Sequence, residues 1–178
     1  MTEPMPFLPA KLICGIIASK DRYFARAEER LVELYGPLDL SSPLFDFVFT
    51  DYYEKEMGQD LKRRFVSFAN LISPEELSEI KIRTNALEQE IREEMKASQR
   101  IVNLDPGFLT SSALIMATAK DFAHRIPLRH GIYAHLEFLF GKKDIRRLSW
   151  TYPDYDTEGY QTFFLDVKRI YLSQIKNL

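Results

Sequence analysis

Acidic, basic and aromatic residues crowd into "TDYYEKEMG", which joins two apolar segments near residue 50. A tight hairpin connection favours Gly, Asn or Pro, not two tyrosines among charges. Carboxylates act as general acids or bases or hold Mg²⁺, whereas lysine and arginine bind phosphate. We therefore interpret this connection as one wall of a candidate site, with Asp51 as a catalytic candidate. Its ligand-binding candidates are Tyr52, Tyr53, Glu56, Lys62 and Arg63.

Two later segments carry residues of the same kinds. In "NLDPGFLTSS", the catalytic candidate Asp105 precedes a predicted helix whose free N–H groups could bind an anion. The alternative is a β-to-α turn in which Thr110 or Ser111 caps that helix. In "WTYPDYDTEGY", acids and aromatics could orient a planar or sugar-like ligand, unless the segment is only a packed loop. This segment contributes the catalytic candidate Asp154 and the ligand-binding candidates Trp150, Tyr152 and Tyr155.

A second candidate cluster, in "TAKDFAHRI", consists of Lys120, Asp121, His124 and Arg125. His124 could serve as a general base or a ligand. On a predicted strand it shares a face with Phe122, Ile126 and Leu128, which favours a satisfied core histidine. His135 alternates with apolar neighbours and is predicted to lie near solvent. The sequence contains no H-x-x-x-H pair and predicts no metal site, although carboxylates in the first cluster could hold Mg²⁺.

Composition limits the classes of function. The chain has 178 residues, a formal net charge of -2 and a pI near 6.0, which disfavours a nucleic-acid partner. Its one cysteine, Cys14, lies in an apolar run and predicts a buried thiol in a reducing, cytoplasmic setting. No apolar run approaches the length of about 20 residues that a membrane span needs, so we expect no membrane association.

The elements that must position these residues form two halves of one predicted α+β domain spanning residues 1–178. Residues 11–105 follow the order β-α-β-β-α-β, which is typical of a ferredoxin-like unit. We expect the strands at 11–17 and 63–68 to run parallel in its sheet. Residues 106–178 predict a helix, a β-meander and a C-terminal helix. The predicted elements of this half are a helix at 109–123, strands at 122–128, 131–140 and 145–149, and a helix at 157–176.

This arrangement predicts where the candidate residues meet. The connection at 51–56, Asp105 and the segment 150–155 fall at the same edge of the sheet. The helix at 109–123 carries the chain about 18 Å back, at 1.5 Å per residue, so that Lys120 and Asp121 fall at the far edge. We therefore predict that the functional site lies at the first edge and not around His124.

Four strings, "FTDYYEKEMG", "NLDPGFL", "TAKDFAHRI" and "WTYPDY", resemble an uncharacterised bacterial family, the domain-of-unknown-function family numbered 4416. The resemblance extends from "KLICGIIAS" to the last helix. One departure is Phe108, where the family more often has a tyrosine. The resemblance implies no particular chemistry and leaves the roles of these strings open.

Two functions of different classes fit these residues. The first is binding or processing of a small phosphorylated or nucleotide-like ligand at an acidic and aromatic cleft. The second is a non-catalytic binding or adaptor protein that uses the same edge for a partner. Neither the reaction, the ligand nor the oligomeric state follows from the sequence.

Overall fold

The structure, a computed structural model, describes residues 3–50 and 52–176. In these residues it shows nine strands and four α-helices in a single α+β domain. The strands are β1 (Ala10–Ala18), β2 (Leu38–Ser41), β3 (Phe45–Asp46), β4 (Lys62–Ile72), β5 (Val102–Leu109), β6 (Ala113–Thr118), β7 (Ile126–Pro127), β8 (Tyr133–Phe140) and β9 (Ile145–Arg147). The helices are α1 (Asp21–Tyr35), α2 (Glu54–Met57), α3 (Leu77–Glu94) and α4 (Glu158–Ile175), and 3-10 turns span Pro74–Glu76 and Pro153–Asp156.

All nine strands belong to one sheet, in the order β2-β4-β1-β5-β6-β8-β7, with β3 beside β4 and β9 beside β8. Every pairing is antiparallel. The prediction that 11–17 and 63–68 run parallel is therefore wrong. Helix α1 returns the chain so that β2 runs in the direction of β1. Strand β3 keeps that direction, and the connection after it reverses the chain for β4.

The sheet is covered on both faces, which explains why all nine residues of β1 are buried. On one face, α1 and α3 pack on β1, β4 and β5 around Phe24, Leu31, Phe68 and Leu87. On the other face, α4 packs on β1, β4, β6 and β8. The even-numbered residues of β1 from Leu12 to Ala18 face the first layer, and Ile13 faces the second.

Helix α4 confirms the predicted C-terminal helix and supplies the second layer with aromatic side chains. Phe164 is fully buried, and its ring centroid lies 5.0 Å from Phe65 and 5.4 Å from Phe138. Tyr160 also contacts Phe65, with centroids 4.7 Å apart in an edge-to-face arrangement. The first half of the chain thus completes its core with the last helix.

The predicted helix at 109–123 is wrong, because residues 113–118 form strand β6. Thr110 closes a hairpin instead of capping a helix: its Oγ1 accepts hydrogen bonds from Ser112 N and Ala113 N. A short apolar run does not distinguish a buried strand from a helix, and here both faces of the strand are covered. With this helix absent, the predicted turn and helix N-terminus at Asp105 are also wrong, since Asp105 lies inside β5.

Several boundaries differ from the sequence-based expectation. The string "SPEE" at 73–76 predicts a capping box, and the structure confirms it before α3 at Ser73 and Glu76. Ser19 is of a residue type that predicts the N-cap of the first helix, but α1 begins after Lys20 and has no side-chain cap. The predicted strand at 122–128 shrinks to the two residues of β7, and β2 was not predicted.

We predict that Phe164→Ala lowers the free energy of unfolding by about 3–5 kcal/mol, because it leaves a cavity among close-packed rings. Urea denaturation followed by circular dichroism measures the loss. Phe122→Ala removes the same side chain from a position that is 63% exposed and should cost about 0.5 kcal/mol or less. Similar losses in the two variants would contradict the assignment of α4 to the core.

Candidate functional site

The candidate site begins where β5 and β6 separate. Their pairing comprises Gly107–Met116, Phe108–Ile115 and Leu109–Leu114. Gly107 permits the close approach, because a Cβ there would lie 2.5 Å from Met116 Sδ and 2.6 Å from the Ile115 carbonyl oxygen. On the far side of Gly107 the strands diverge, and Asn103, Asp105 and Thr118 line a cavity between them.

This cavity has a volume of about 430 Å³. Its walls come from parts of the chain that are distant in sequence: β4, α3, β5, β6, β8, the residues 47–50 and 52–53, and the turn at 152–155. A volume of this size lies within the range of small-molecule sites, roughly 300–1,000 Å³.

Arg63 forms the centre of the cavity floor. It is 5% exposed and reaches from β4 to two carboxylates. Its Nη1 donates to Asp154 in the 3-10 turn, and its Nη2 lies 3.4 Å from Asp105 Oδ2 on β5. The guanidinium also lies 4.5 Å from the centroid of the Phe47 ring. Burial raises the pKa of Asp154, and the charge of Arg63 opposes that shift.

Charged residues from α3 and the start of β5 extend this network. Lys81 donates to the Leu104 carbonyl oxygen at 2.7 Å and lies 3.7 Å from Asp105. Arg100 pairs with the buried Glu88 at 2.6 Å and donates to Asn103, whose amide donates to Asp105 at 2.8 Å. The floor is therefore a connected network in which each carboxylate has a cationic partner.

Two cations at the cavity lack such partners. Arg125 donates to the Lys120 carbonyl oxygen and to Tyr152 Oη, both at 2.7 Å, and to His135 Nδ1 at 3.3 Å. The Lys120 ammonium lies 3.8 Å from the centroid of the Tyr52 ring. Across residues 3–50 and 52–176, neither Lys120 nor Arg125 forms a salt bridge.

A buried acid and two histidines lie beside these cations. Glu137 is the extra residue of a β-bulge, since Ile115 pairs with Leu136 and Leu114 pairs with Phe138. Its Oε2 lies 3.0 Å from His135 Nε2, and its Oε1 accepts from Tyr152 N at 2.8 Å. Burial raises the pKa of Glu137, and His135 opposes that shift.

His124 extends this row of interacting side chains toward the surface. Its Nε2 lies 3.1 Å from His135 Nδ1, and its ring stacks on Trp150 with centroids 4.7 Å apart. Desolvation, with smaller contributions from His135 and Arg125, lowers the pKa of His124. The prediction that His135 lies near solvent is wrong: it is 2% exposed, because Tyr152 stacks on its ring at 5.3 Å.

The structure brings the two predicted clusters together in one cavity. The correction to the fold explains why, because the β5–β6 hairpin returns Lys120 to the end of the sheet where Asp105 lies. The predicted separation of these residues onto opposite edges is wrong. Of the predicted candidates, those that line the cavity are Tyr52, Tyr53, Arg63, Asp105, Lys120, Arg125, Tyr152, Asp154 and Tyr155.

The remaining candidates lie around this cavity or away from it. Glu56 pairs with Arg100 at 3.4 Å, and Lys62 is exposed at 3.8 Å from Asp46. Trp150 donates from Nε1 to the Leu136 carbonyl oxygen. His124 touches the wall through His135, and Asp121 is exposed. Asp51 lies outside the described residues.

Sequence reasoning missed Lys81, Arg100, Asn103, His135 and Glu137. One signal was available in α3, where Lys81, Thr84 and Glu88 fall at helical spacing among buried apolar residues. A charged residue at such a position requires a buried partner. No comparable signal marks Glu137, because a bulge changes the alternation of a strand without a trace in composition.

The described part of the chain contains no group of three or more His, Cys, Asp or Glu side chains placed to hold a metal ion. It also contains no helix whose length and apolar character would let it cross a bilayer.

Fold and site together define a single-domain α+β protein with a polar, aromatic-walled cavity at the divergence of two antiparallel strands. The chain belongs to the family described as "Domain of unknown function (DUF4416)", whose model matches residues 8–171. This membership confirms the resemblance noted in the sequence. Searches of curated proteins and of solved structures found no significant match.

We predict that Arg63→Met lowers the free energy of unfolding by about 3–5 kcal/mol, because Asp154 and Asp105 lose their buried counter-charge. Adding Asp154→Asn should recover part of this loss, since it removes the more buried of the two charges. Arg64→Met is the matched control: Arg64 lies on the other face, in a partly exposed pair with Glu28, and should cost about 1 kcal/mol or less. Equal losses in urea denaturation would refute a special role for Arg63.

Proposed function

We propose that this protein binds a small phosphorylated or nucleotide-like ligand in the cavity between β5 and β6. The observation that carries the proposal is the pair Lys120 and Arg125, two cations at the cavity wall without a carboxylate partner among residues 3–50 and 52–176. Phosphate groups bind to lysine and arginine through charge-assisted hydrogen bonds. A lysine and an arginine with no carboxylate partner in the part of the chain that the structure describes therefore favour an anionic ligand.

The charge balance of the cavity supports this proposal. Five basic residues, Arg63, Lys81, Arg100, Lys120 and Arg125, line it against three acidic ones, Asp105, Glu137 and Asp154. Glu88 lies outside the lining but pairs with Arg100, so with histidine neutral five minus four gives a formal charge of +1 among the described residues, in a chain whose net charge is -2. The cavity is thus a locally positive region of an acidic protein, which attracts anions.

Aromatic side chains favour a ligand with a planar part. Tyr52 and Tyr53 lie edge to face, with centroids 5.0 Å apart, on one side of the cavity, and Tyr152 lies on another. Tyr52 and Tyr152 are 55% and 45% exposed, so each ring has surface available for stacking. Rings combined with a few polar groups are the usual lining of small-molecule sites.

The carboxylates of the floor fit a divalent cation poorly. Asp105 and Asp154 both contact Arg63, and Lys81 lies beside Asp105. A magnesium ion would have to compete with these cations for the same oxygens. We therefore assign Asp105 and Asp154 to holding the floor in this proposal, and a catalytic role for Asp51, Asp105 or Asp154 stays a prediction.

An adaptor function is the second candidate, and exposed apolar side chains near the cavity favour it. Val48 is 79% exposed, Phe122 63% and Ile126 64%. Exposed apolar patches mark protein-interaction sites. A partner-binding surface predicts that Val48→Ser and Phe122→Ser abolish partner binding and leave small anions unaffected.

Two broader assignments belong to the same proposal. A cytoplasmic setting is supported by Cys14, a buried free thiol. A ferredoxin-like classification of residues 11–105 is supported by the order β2-β4-β1-β5 with α1 and α3 on one face. A solved structure of a family member would test the classification by superposition.

Binding of nucleotides and sugar phosphates, screened by thermal shift and quantified by calorimetry, tests the proposed function. We predict that Lys120→Gln weakens binding of the best ligand about tenfold and that Lys120→Gln/Arg125→Gln weakens it further, because each change removes a charge-assisted contact. The matched control, Lys143→Gln/Arg146→Gln, removes the same charges from exposed positions that do not line the cavity. Binding unchanged by the cavity variants, or weakened equally by the control, would refute the proposed site.

A further inference from the structure

Glu137 and His135 form a buried pair whose facing atoms are close but poorly aligned. Glu137 is fully buried and His135 is 2% exposed. Glu137 Oε2 and His135 Nε2 lie 3.0 Å apart, yet neither has an aligned hydrogen-bond partner among the described residues. Buried polar atoms without partners are rare and call for an explanation. Both residues line the cavity, so a ligand in the cavity is the natural partner to consider for them.

The charged and titratable groups that face this pair come from three other parts of the chain. Arg63 is neutralised by Asp154 and Asp105, whereas Arg125, which donates to His135 Nδ1 at 3.3 Å, has no carboxylate partner among the described residues. Burial raises the pKa of Glu137, against the effect of His135 and of the Tyr152 N–H. The facing groups are His124 and Arg125 from the segment before β7, Tyr152, Asp154 and Tyr155 from the turn before α4, and Arg63 from β4.

We infer that the Glu137–His135 pair takes up one proton when an anion binds beside Lys120 and Arg125, so that ligand binding by this protein is linked to proton binding. The inference rests on the proposed function and adds the group that responds to the ligand. An anion in the cavity repels the Glu137 carboxylate across a medium of low dielectric constant. Adding one proton changes the charge of the pair from −1 to zero and removes that repulsion, whichever of the two residues carries the proton.

The sign of the linkage follows from reciprocity. Because the anion favours the protonated pair, protonation favours the anion by the same factor. Affinity is therefore highest at low pH and falls as pH rises through the pKa of the ligand-free pair. For one linked proton the affinity falls by up to about tenfold per pH unit. The fall ends once the pH is above the pKa of the ligand-bound pair. A site with no titrating group beside the anion would bind a non-titrating anion equally well across the same range.

Sulfate is the probe that isolates this effect, since it remains a dianion from about pH 5 to 8. Isothermal titration of the full chain in two buffers with different ionisation enthalpies gives the number of protons taken up. For the wild-type protein we expect an uptake approaching one proton and an affinity that falls with pH. Glu137→Gln keeps the acceptor for Tyr152 N, abolishes the uptake, and at pH 8 binds sulfate about tenfold more tightly, because the carboxylate's repulsion is gone.

Glu28→Gln is the matched control, because it neutralises a partly buried glutamate that pairs with Arg64 on the other face of the sheet and does not line the cavity, so it should preserve the uptake. The same uptake in wild-type and Glu137→Gln proteins would place the proton on another group, such as His124, and would overturn this inference alone. Weaker sulfate binding by Glu137→Gln at every pH would make Glu137 a structural residue and would also overturn it. Failure of sulfate to bind the wild-type protein at any pH would overturn the proposed anion site and the inference together.

Discussion

The buried contact of Arg63 with Asp154 and Asp105 is the interaction on which the arrangement of the cavity depends. It joins β4, β5 and the turn before α4, which are far apart in the chain. Breaking a buried pair by removing one partner is costly, because the remaining charge stays desolvated. The same contact holds the turn at 152–155 against the sheet, and Tyr152 in that turn packs on His135. A salt bridge between central strands and a turn thus determines where the aromatic wall lies.

This arrangement separates the charges of the cavity into two groups. The floor contains Arg63, Lys81 and Arg100, whose charges are matched by Asp154, Asp105 and Glu88. The wall near β7 contains Lys120 and Arg125, which contact a ring, a phenol and backbone or imidazole acceptors. Cations matched inside the protein stabilise the fold, whereas unmatched ones remain available to a ligand.

The sequence was sufficient for elements whose local signals and tertiary environment agree. Ser73 and Glu76 predict the start of α3, and the apolar face around Phe164 predicts α4. The prediction failed where one sequence pattern fits two structures. The apolar run of β6 fits a helix as well as a strand that is covered on both faces, and the sequence does not show which faces are covered. The site candidates Asp105 and Lys120 were recognised by residue type, but their meeting depends on that hairpin. Glu137 could not be predicted, because its position depends on strand register.

The bulge at Glu137 has a consequence for how this family can vary. Ile115 pairs with Leu136 and Leu114 with Phe138, so a chain lacking Glu137 would retain an uninterrupted β6–β8 ladder on both sides of the deletion. The acid is therefore an insertion in the ladder, and its own contacts are with His135 and with the turn at Thr151 and Tyr152. Relatives that differ in length by one residue at this point would share the same sheet, core and cationic wall while differing in the buried acid. Insertion or deletion of a single codon can thus add or remove the buried acid at this wall while the fold stays the same.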